Sequence, residues 1–173
     1  QLILAGVELK NSSTAPIFVQ AADEVLLYLL EGTLNTVSDG QNYVYASPET
    51  NEPNAAIFSL ADLTIAGGGS LTVTGNYNDG ISSKDGLVIS GSTLDVTAAD
   101  DGIRGKDYLV LEAGQITVQA QGDGLVSDNE EDATRGYISI EAGTFEITAA
   151  GDAIQAATDV LISAGDFNLI TGG

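Results

Sequence analysis

The sequence predicts an all-β fold, a parallel β-helix in which about 22 residues form each coil. Three observations predict it. Apolar and polar residues alternate in short segments, which is typical of β-strands because their side chains point to opposite faces in turn. The pattern repeats, since Ile81, Ile103 and Leu125 follow one another at intervals of 22 residues. Gly, Ser, Asn and Asp separate the segments, and these residues favour turns.

Each predicted coil contains three short strands whose apolar positions recur in register. Stacked coils place those positions in inward ladders, about 4.8 Å apart. The strand after each Asp-Gly turn continues at Ile154, and residues 15–40 are expected to be a degenerate copy of the repeat. The other ladders comprise Ile57, Leu63/Ile65, Leu71/Val73, Leu87/Ile89, Leu94/Val96, Leu109/Leu111, Ile116/Val118, Ile138/Ile140, Phe145/Ile147, Val160/Ile162 and Phe167/Leu169.

Glycine residues and two insertions interrupt the strands of the repeat. Glycine tolerates positive φ, and we predict that conformation at Gly80, Gly102, Gly114, Gly124, Gly143 and Gly165. The insertions span residues 41–53 and 128–136, and loops of this kind carry function in solenoids. We expect residues 1–173 to form one domain, trimmed from a longer secreted chain and located outside the cell or at its surface.

Composition excludes several functions. The chain has 25 acidic and 5 basic residues and a formal net charge of -20, which repels nucleic acid. It has no His, Cys, Met or Trp, so zinc, thiolate and haem sites and His-dependent nucleophiles lack their ligands. No apolar run reaches the roughly 18 residues that a membrane-spanning helix needs. Oxygen ligands remain, and they favour Ca²⁺.

A line of aspartates is the first candidate site. The repeat aligns Asp79, Asp101, Asp123 and Asp152, with Asn78 and Asp100 beside them. Stacked carboxylates repel each other unless they share a cation, so we predict calcium here. The alternative is that each aspartate only caps its own turn. The second insertion adds Asp128, Glu130, Glu131 and Asp132, either as further calcium ligands or as a solvated charge run.

A basic patch with tyrosines is the second candidate site. Counting from the inward isoleucines, Ser82, Lys84, Arg104 and Lys106 point outward, Lys84 and Lys106 are stacked on successive coils, and Arg135 could join them. These cations either pair with Asp85 and Asp107 or bind a carboxylated sugar. Aromatic rings pack on sugar faces or support the coil as a ladder. The tyrosines nearest these turns are Tyr77, Tyr108 and Tyr137.

The motifs NDGISSKD (78–85), DDGIRGKD (100–107) and SDNEEDA (127–133) resemble a known family. It is the bacterial cell-surface carbohydrate-binding family with a polysaccharide-lyase-like, right-handed β-helix, and the resemblance covers nearly the whole chain. It implies bound calcium, recognition of cellulose and acidic sugars such as polygalacturonate, and no catalytic role. The last coil departs from the pattern at Asp152-Ala153-Ile154. The positions that match are Asn78, Asp79, Asp100, Asp101, Arg104, Lys106, Asp107, Asp123, Asp128 and Glu130 to Asp132. Asp107 is thereby a further predicted calcium ligand.

Three functions stay open. The favoured one is a binding module that holds plant cell-wall polysaccharide at a bacterial surface. The second is a calcium-dependent pectate lyase, in which Lys84, Lys106 or Arg104 removes a proton in β-elimination. The third is a structural adhesin stalk. The pattern favours binding because no long loops other than the two insertions surround the patch; it leaves the oligomeric state open.

Overall fold

The structure, a computed structural model, describes residues 1–172 and contains β-strands but no helix in that range. All of its strand pairs are parallel. The strands are β1 (Leu2–Leu4), β2 (Glu8–Lys10), β3 (Ile17–Val19), β4 (Glu24–Leu29), β5 (Leu34–Ser38), β6 (Ala55–Ser59), β7 (Asp62–Ala66), β8 (Ser70–Gly75), β9 (Asp79–Ser83), β10 (Gly86–Ala98), β11 (Ile103–Gly105), β12 (Tyr108–Ala120), β13 (Leu125–Ser127), β14 (Tyr137–Ile140), β15 (Thr144–Ala149), β16 (Ile154–Ala156), β17 (Val160–Ile162) and β18 (Asp166–Thr171).

The strands stack on three faces, and three successive segments, one on each face, make up a unit. Face 1 contains β1, β4, β7, the first parts of β10 and β12, β14 and β17. Face 2 contains β2, β5, β8, the second parts of β10 and β12, β15 and β18. Face 3 contains β3, β6, β9, β11, β13 and β16. A parallel β-helix requires this order of pairing, because the chain returns to each face once per unit.

The register confirms the predicted ladders. Ile81 pairs with Ile103, Ile103 with Leu125, and Leu125 with Ile154 across the second insertion. Most ladder side chains within the stack are 0–2% exposed, so they form one continuous apolar core. The degenerate copy also joins the stack, through the pairs Ile17 with Ile57, Leu27 with Ile65, and Val37 with Val73.

The glycine prediction is right at one bend and wrong at another. Gly114, Gly143 and Gly165 have positive φ, between +128° and +140°, where face 1 turns into face 2. The glycines that follow the aspartates do not adopt positive φ. They are needed for close packing instead, since a Cβ on Gly80 would meet the Val96 side chain and the Gly102 carbonyl. The same close approach occurs at Gly102 and Gly124.

The two ends and the two insertions interrupt this regularity. The insertions connect β5 to β6 and β13 to β14, as expected from the sequence. At the C-terminal end, the ladder residues Val160 and Ile162 are 44% and 50% exposed, whereas their partners Ile138 and Ile140 are 0% exposed. These two side chains are therefore more exposed than those on which they stack. Residues 1–172 contain no helix that could cross a membrane.

Candidate functional site

The candidate site lies on the outside of face 3 and at its two borders. Strand register places Phe58, Ser82, Arg104, Val126 and Gln155 in one outward column. Much of this column is covered, because Phe58 and Ser82 are 0% exposed and Val126 is 2% exposed. Ser82 therefore lies on the outward side of the strand, as predicted, but it is buried. Its hydroxyl is buried and has no hydrogen-bond partner among the described residues.

Arg104 is held in this column by an acidic partner from the next unit. Its Nε donates to Oδ1 of Asp128 at 3.1 Å, and its Nη2 donates to Oδ2 of the same carboxylate. Burial by itself would lower the pKa of Arg104, but Asp128, Asp79 and Asp101 together raise it. The guanidinium therefore stays charged and is engaged within the protein.

Most of the other basic residues are also paired. Nζ of Lys84 lies 2.7 Å from the Glu52 carboxylate, which belongs to the first insertion. Arg135 pairs with the buried Asp107 and lies 3.6 Å from Asp132. On β2 of face 2, Lys10 pairs with Glu8. Within residues 1–172, Lys106 is the basic residue without an acidic partner, and it is partly exposed.

The line of aspartates follows the border between faces 2 and 3. Oδ1 of Asp101 accepts the backbone N–H of Asp123 at 2.9 Å, and Oδ1 of Asp123 accepts that of Asp152 at 2.7 Å. Each carboxylate therefore caps the turn of the next unit, rather than its own turn. In the first of these units, Oδ1 of Asp79 accepts the Asn78 side-chain amide at 2.8 Å.

The carboxyl group of Asp79 is a weaker acid than an exposed aspartate because it is buried. Its side chain is 1% exposed, and this burial, with the charge of Asp101, raises its pKa to about 7. The nearby charge of Arg104 opposes that rise, and the charge of Asp100 adds to it.

Calcium binding by the predicted residues stays a prediction from the sequence. No group of three or more acidic side chains in residues 1–172 is positioned to hold a metal ion. Asp107 and Asp128 are instead engaged by Arg135 and Arg104. In the second insertion, Oδ1 of Asp132 accepts the N–H of Thr134. The remaining predicted ligands of that insertion, Glu130 and Glu131, are exposed.

Two stacked tyrosines mark the border between faces 3 and 1. Tyr108 and Tyr137 are register partners, with ring centroids 5.9 Å apart and planes inclined by 21°. The Tyr108 ring lies over Gly86, where a Cβ would collide with it, and its hydroxyl donates to Oδ1 of Asp62 at 3.1 Å. Burial and that hydrogen bond raise the pKa of Tyr108 to about 12. Tyr137 packs on this ring and is partly exposed.

Tyr77 lies at the opposite border and has a different environment. Its ring stacks on Tyr43 of the first insertion, with centroids 4.2 Å apart. The Tyr43 hydroxyl donates to Oδ2 of Asp39 at 2.7 Å, and Tyr45 lies 6.3 Å from Tyr77. Tyr43 and Tyr45 were not predicted as site residues, and two tyrosines in a turn-rich insertion were the available signal. The cluster anchors the insertion against face 3.

Comparison with known proteins identifies the family. The family model for carbohydrate-binding domain-containing proteins matches residues 1–173. The chain belongs to this family. A carbohydrate-binding domain-containing protein of Acetivibrio thermocellus is 46% identical over 172 residues, which cover 99% of the chain and 60% of that relative. The chain thus spans about three-fifths of the length of this relative.

A solved structure is also similar to this carbohydrate-binding domain. It is the polysaccharide lyase-like protein from C. thermocellum, in a gadolinium derivative, with a TM-score of 0.84 and 33% sequence identity. The similarity covers 99% of this chain and 72% of that one. The carbohydrate-binding domain therefore combines a lyase-like arrangement of parallel strands with two aromatic borders, and one of these borders lies next to Lys106.

Proposed function

We propose that the domain is a right-handed parallel β-helix that binds plant cell-wall polysaccharides, cellulose and acidic sugars such as polygalacturonate, outside the bacterial cell or at its surface. The Tyr108–Tyr137 stack beside Lys106 carries this proposal. Tyrosine rings offer apolar faces to sugar rings, and an unpaired ammonium offers a charge-assisted hydrogen bond to a uronate carboxylate.

Four observations support the proposal. The family is carbohydrate-binding, and the similarity to the lyase-like structure supports the β-helix. Lys106 follows β11 and precedes Tyr108 by two residues, so charge and aromatic surface lie together at one border. Arg104 and Arg135 are neutralised by Asp128 and Asp107, which leaves Lys106 as the cation best able to meet a ligand.

We propose that binding proceeds without cleavage. A β-elimination needs a base that can accept a proton. Arg104 does not suit that role, because its pKa is raised by the carboxylates around it. Lys84 is held by Glu52. Lys106, the third candidate base, is assigned instead to the uronate carboxylate, where its ammonium acts as a hydrogen-bond donor. Calcium dependence stays a separate prediction from the sequence, since the described carboxylates do not assemble into a site.

Affinity electrophoresis in gels containing polygalacturonate tests the proposal. The wild-type protein should be retarded, and Lys106→Ala should weaken binding about tenfold, as expected for one lost charge-assisted contact. Lys10→Ala is the matched control, because Lys10 lies on β2 of face 2, whereas Lys106 lies at the border between faces 3 and 1. Normal retardation of Lys106→Ala would contradict the proposed site.

Two further readouts separate the alternatives. Absorbance of unsaturated products in the same mixtures would reveal a lyase and overturn non-catalytic binding. A structural stalk would show no retardation on either cellulose or polygalacturonate. Repeating the gels with a chelator tests calcium, and the prediction from the sequence is weaker binding after chelation.

A further inference from the structure

The outside of face 1 differs from the outside of face 2, although the same two long strands cross both. The central outward column of face 2 is polar and consists of Thr72, Asp95, Thr117, Glu146 and Asn168. The corresponding column of face 1 is mostly apolar and consists of Leu26, Thr64, Val88, Val110, Ser139 and Leu161. An ordinary solvated sheet face is polar, as face 2 is, so the apolar column on face 1 indicates a contact surface.

The column is accessible and continuous with the aromatic border. Val88 and Val110 are partly exposed and lie in register on successive units. Tyr108 occupies the adjacent outward column, and Tyr137 stacks on it. From Leu26 to Leu161 the column crosses five steps between strands, which is about 24 Å. The surface is therefore long and narrow, and it runs across the strands.

A cavity lies at the N-terminal end of this column. It has a volume of about 360 Å³ and is lined by Gln1, Glu24, Val25, Leu26 and Thr64. Apolar side chains thus meet a carboxylate, an amide and a hydroxyl, a mixture typical of sites that take a polar ligand with apolar faces.

The charges of face 1 exclude an acidic ligand. Its strands contain no Lys or Arg in residues 1–172, whereas Glu24 and Asp62 line one border of the column. Glu112 and Glu141 are exposed at the other border. A polyuronate would meet only like charge here, so the ligand that fits is uncharged.

We infer that the outside of face 1 is a second glycan-binding surface, which takes an uncharged linear glucan lying across the strands. The sugar rings pack on Val88, Val110 and the tyrosine border, and Glu24 and Thr64 provide hydrogen bonds in the cavity. This inference rests on the proposed function and deepens it, because it assigns uncharged polymer to face 1 and acidic polymer to the Lys106 border.

Affinity electrophoresis with hydroxyethylcellulose and with polygalacturonate, in separate gels, tests this inference. Val88→Asp should weaken binding to hydroxyethylcellulose about tenfold and leave binding to polygalacturonate unchanged. Thr97→Asp is the matched control, since Thr97 lies on the same strand but on the exposed outside of face 2. Binding to either polymer should be unchanged in this variant. Lys106→Ala should weaken binding to polygalacturonate and leave binding to hydroxyethylcellulose unchanged.

Val88→Thr covers the case in which Val88→Asp fails to fold. Thr64 already occupies the neighbouring position of the column, so a threonine is compatible with the sheet. Binding to hydroxyethylcellulose should still fall, by about threefold. Wild-type affinity of both Val88 variants would overturn the inference. Binding of the wild-type protein to polygalacturonate alone would also overturn it and leave only the acidic-sugar part of the proposed function standing, whereas binding to neither polymer would overturn both proposals.

Discussion

Arg104 on β11 and Asp128, which follows β13 in the next unit, form a two-point ion pair across 24 positions of the chain. The side chains are 19% and 38% exposed, so water screens the pair only in part. The pair removes a cation from the predicted basic patch and fastens the start of the second insertion to face 3. One contact therefore contributes to both the charge of the site and the position of its loop.

Breaking this pair should cost stability. In a double-mutant cycle of Arg104→Ala and Asp128→Ala, we expect a coupling energy of about 1–2 kcal/mol, because the pair is partly buried and bidentate. Urea unfolding measures it. The Lys10–Glu8 pair is the control, since both of its side chains are more than 60% exposed, and it should show no coupling above error. Equal coupling in the two pairs would contradict the role of burial.

The buried Asp79 should make stability depend on pH. Its pKa is about 7 in the folded state and near the ordinary 3.8 in the unfolded state. Between these values the folded state binds more protons, so stability falls as pH rises, by on the order of 1 kcal/mol per pH unit. Asp100, Asp101 and Arg104 are the charges that act on Asp79.

Asp79→Asn should remove most of this slope and be at least as stable as the wild type at pH 8. Thermal unfolding from pH 4 to pH 8 in EDTA measures the difference between the two proteins. Asp95→Asn is the control, because Asp95 is exposed on face 2. Parallel pH profiles for Asp79→Asn and the wild type would refute the raised pKa.

Asp101 should stabilise the stack through a hydrogen bond between units. Its Oδ1 accepts the N–H of Asp123, and Asp101→Ala leaves that donor without its partner. We expect a loss of about 1 kcal/mol on alanine substitution and recovery of most of it in Asp101→Asn, which keeps an acceptor. Urea unfolding gives both values. Asp100→Ala tests the neighbouring carboxylate, which is exposed, and should be neutral.

The two tyrosine borders should respond differently to substitution. Tyr137→Ala removes an outer ring that covers Tyr108, so sugar binding should fall about tenfold with little loss of stability. Tyr77→Ala removes the ring that stacks on Tyr43, so it should destabilise the first insertion. Limited proteolysis at residues 41–53, combined with affinity electrophoresis, distinguishes the outcomes. Faster cleavage in Tyr137→Ala than in Tyr77→Ala would contradict the assignment of Tyr77 to the stability of the first insertion.

The ladders could be predicted because their signal is local and repeated. Ile81, Ile103 and Leu125 are buried for the same reason in each unit, and a period of two residues identifies the inward side. The stack of Tyr108 on Tyr137 follows from the same register. The glycines were harder to interpret, since the sequence does not distinguish a residue with positive φ, such as Gly114, from one that needs close packing, such as Gly80.

The sequence predicts on which side of a strand the charged residues lie, but not which of them form ion pairs. Outward alternation puts Arg104 on face 3, but its engagement by Asp128 depends on how β13 leads into the insertion. Lys84 is paired because residues 41–53 fold back and bring Glu52 to it. Ser82 is buried even though its position alternates outward. These contacts depend on irregular segments, where no period guides a prediction.

The sequence by itself determined the all-β class, the three short strands per repeat and the register of the apolar ladders. These follow from side-chain alternation and stacking, and the same pattern recurs in every repeat. Only the tertiary structure decided which cation lacks an acidic partner, that the aspartates cap neighbouring turns, and that Asp79 is buried enough to raise its pKa. The physical reason is that charge pairing and burial depend on distances between distant segments, which the packing of the insertions sets.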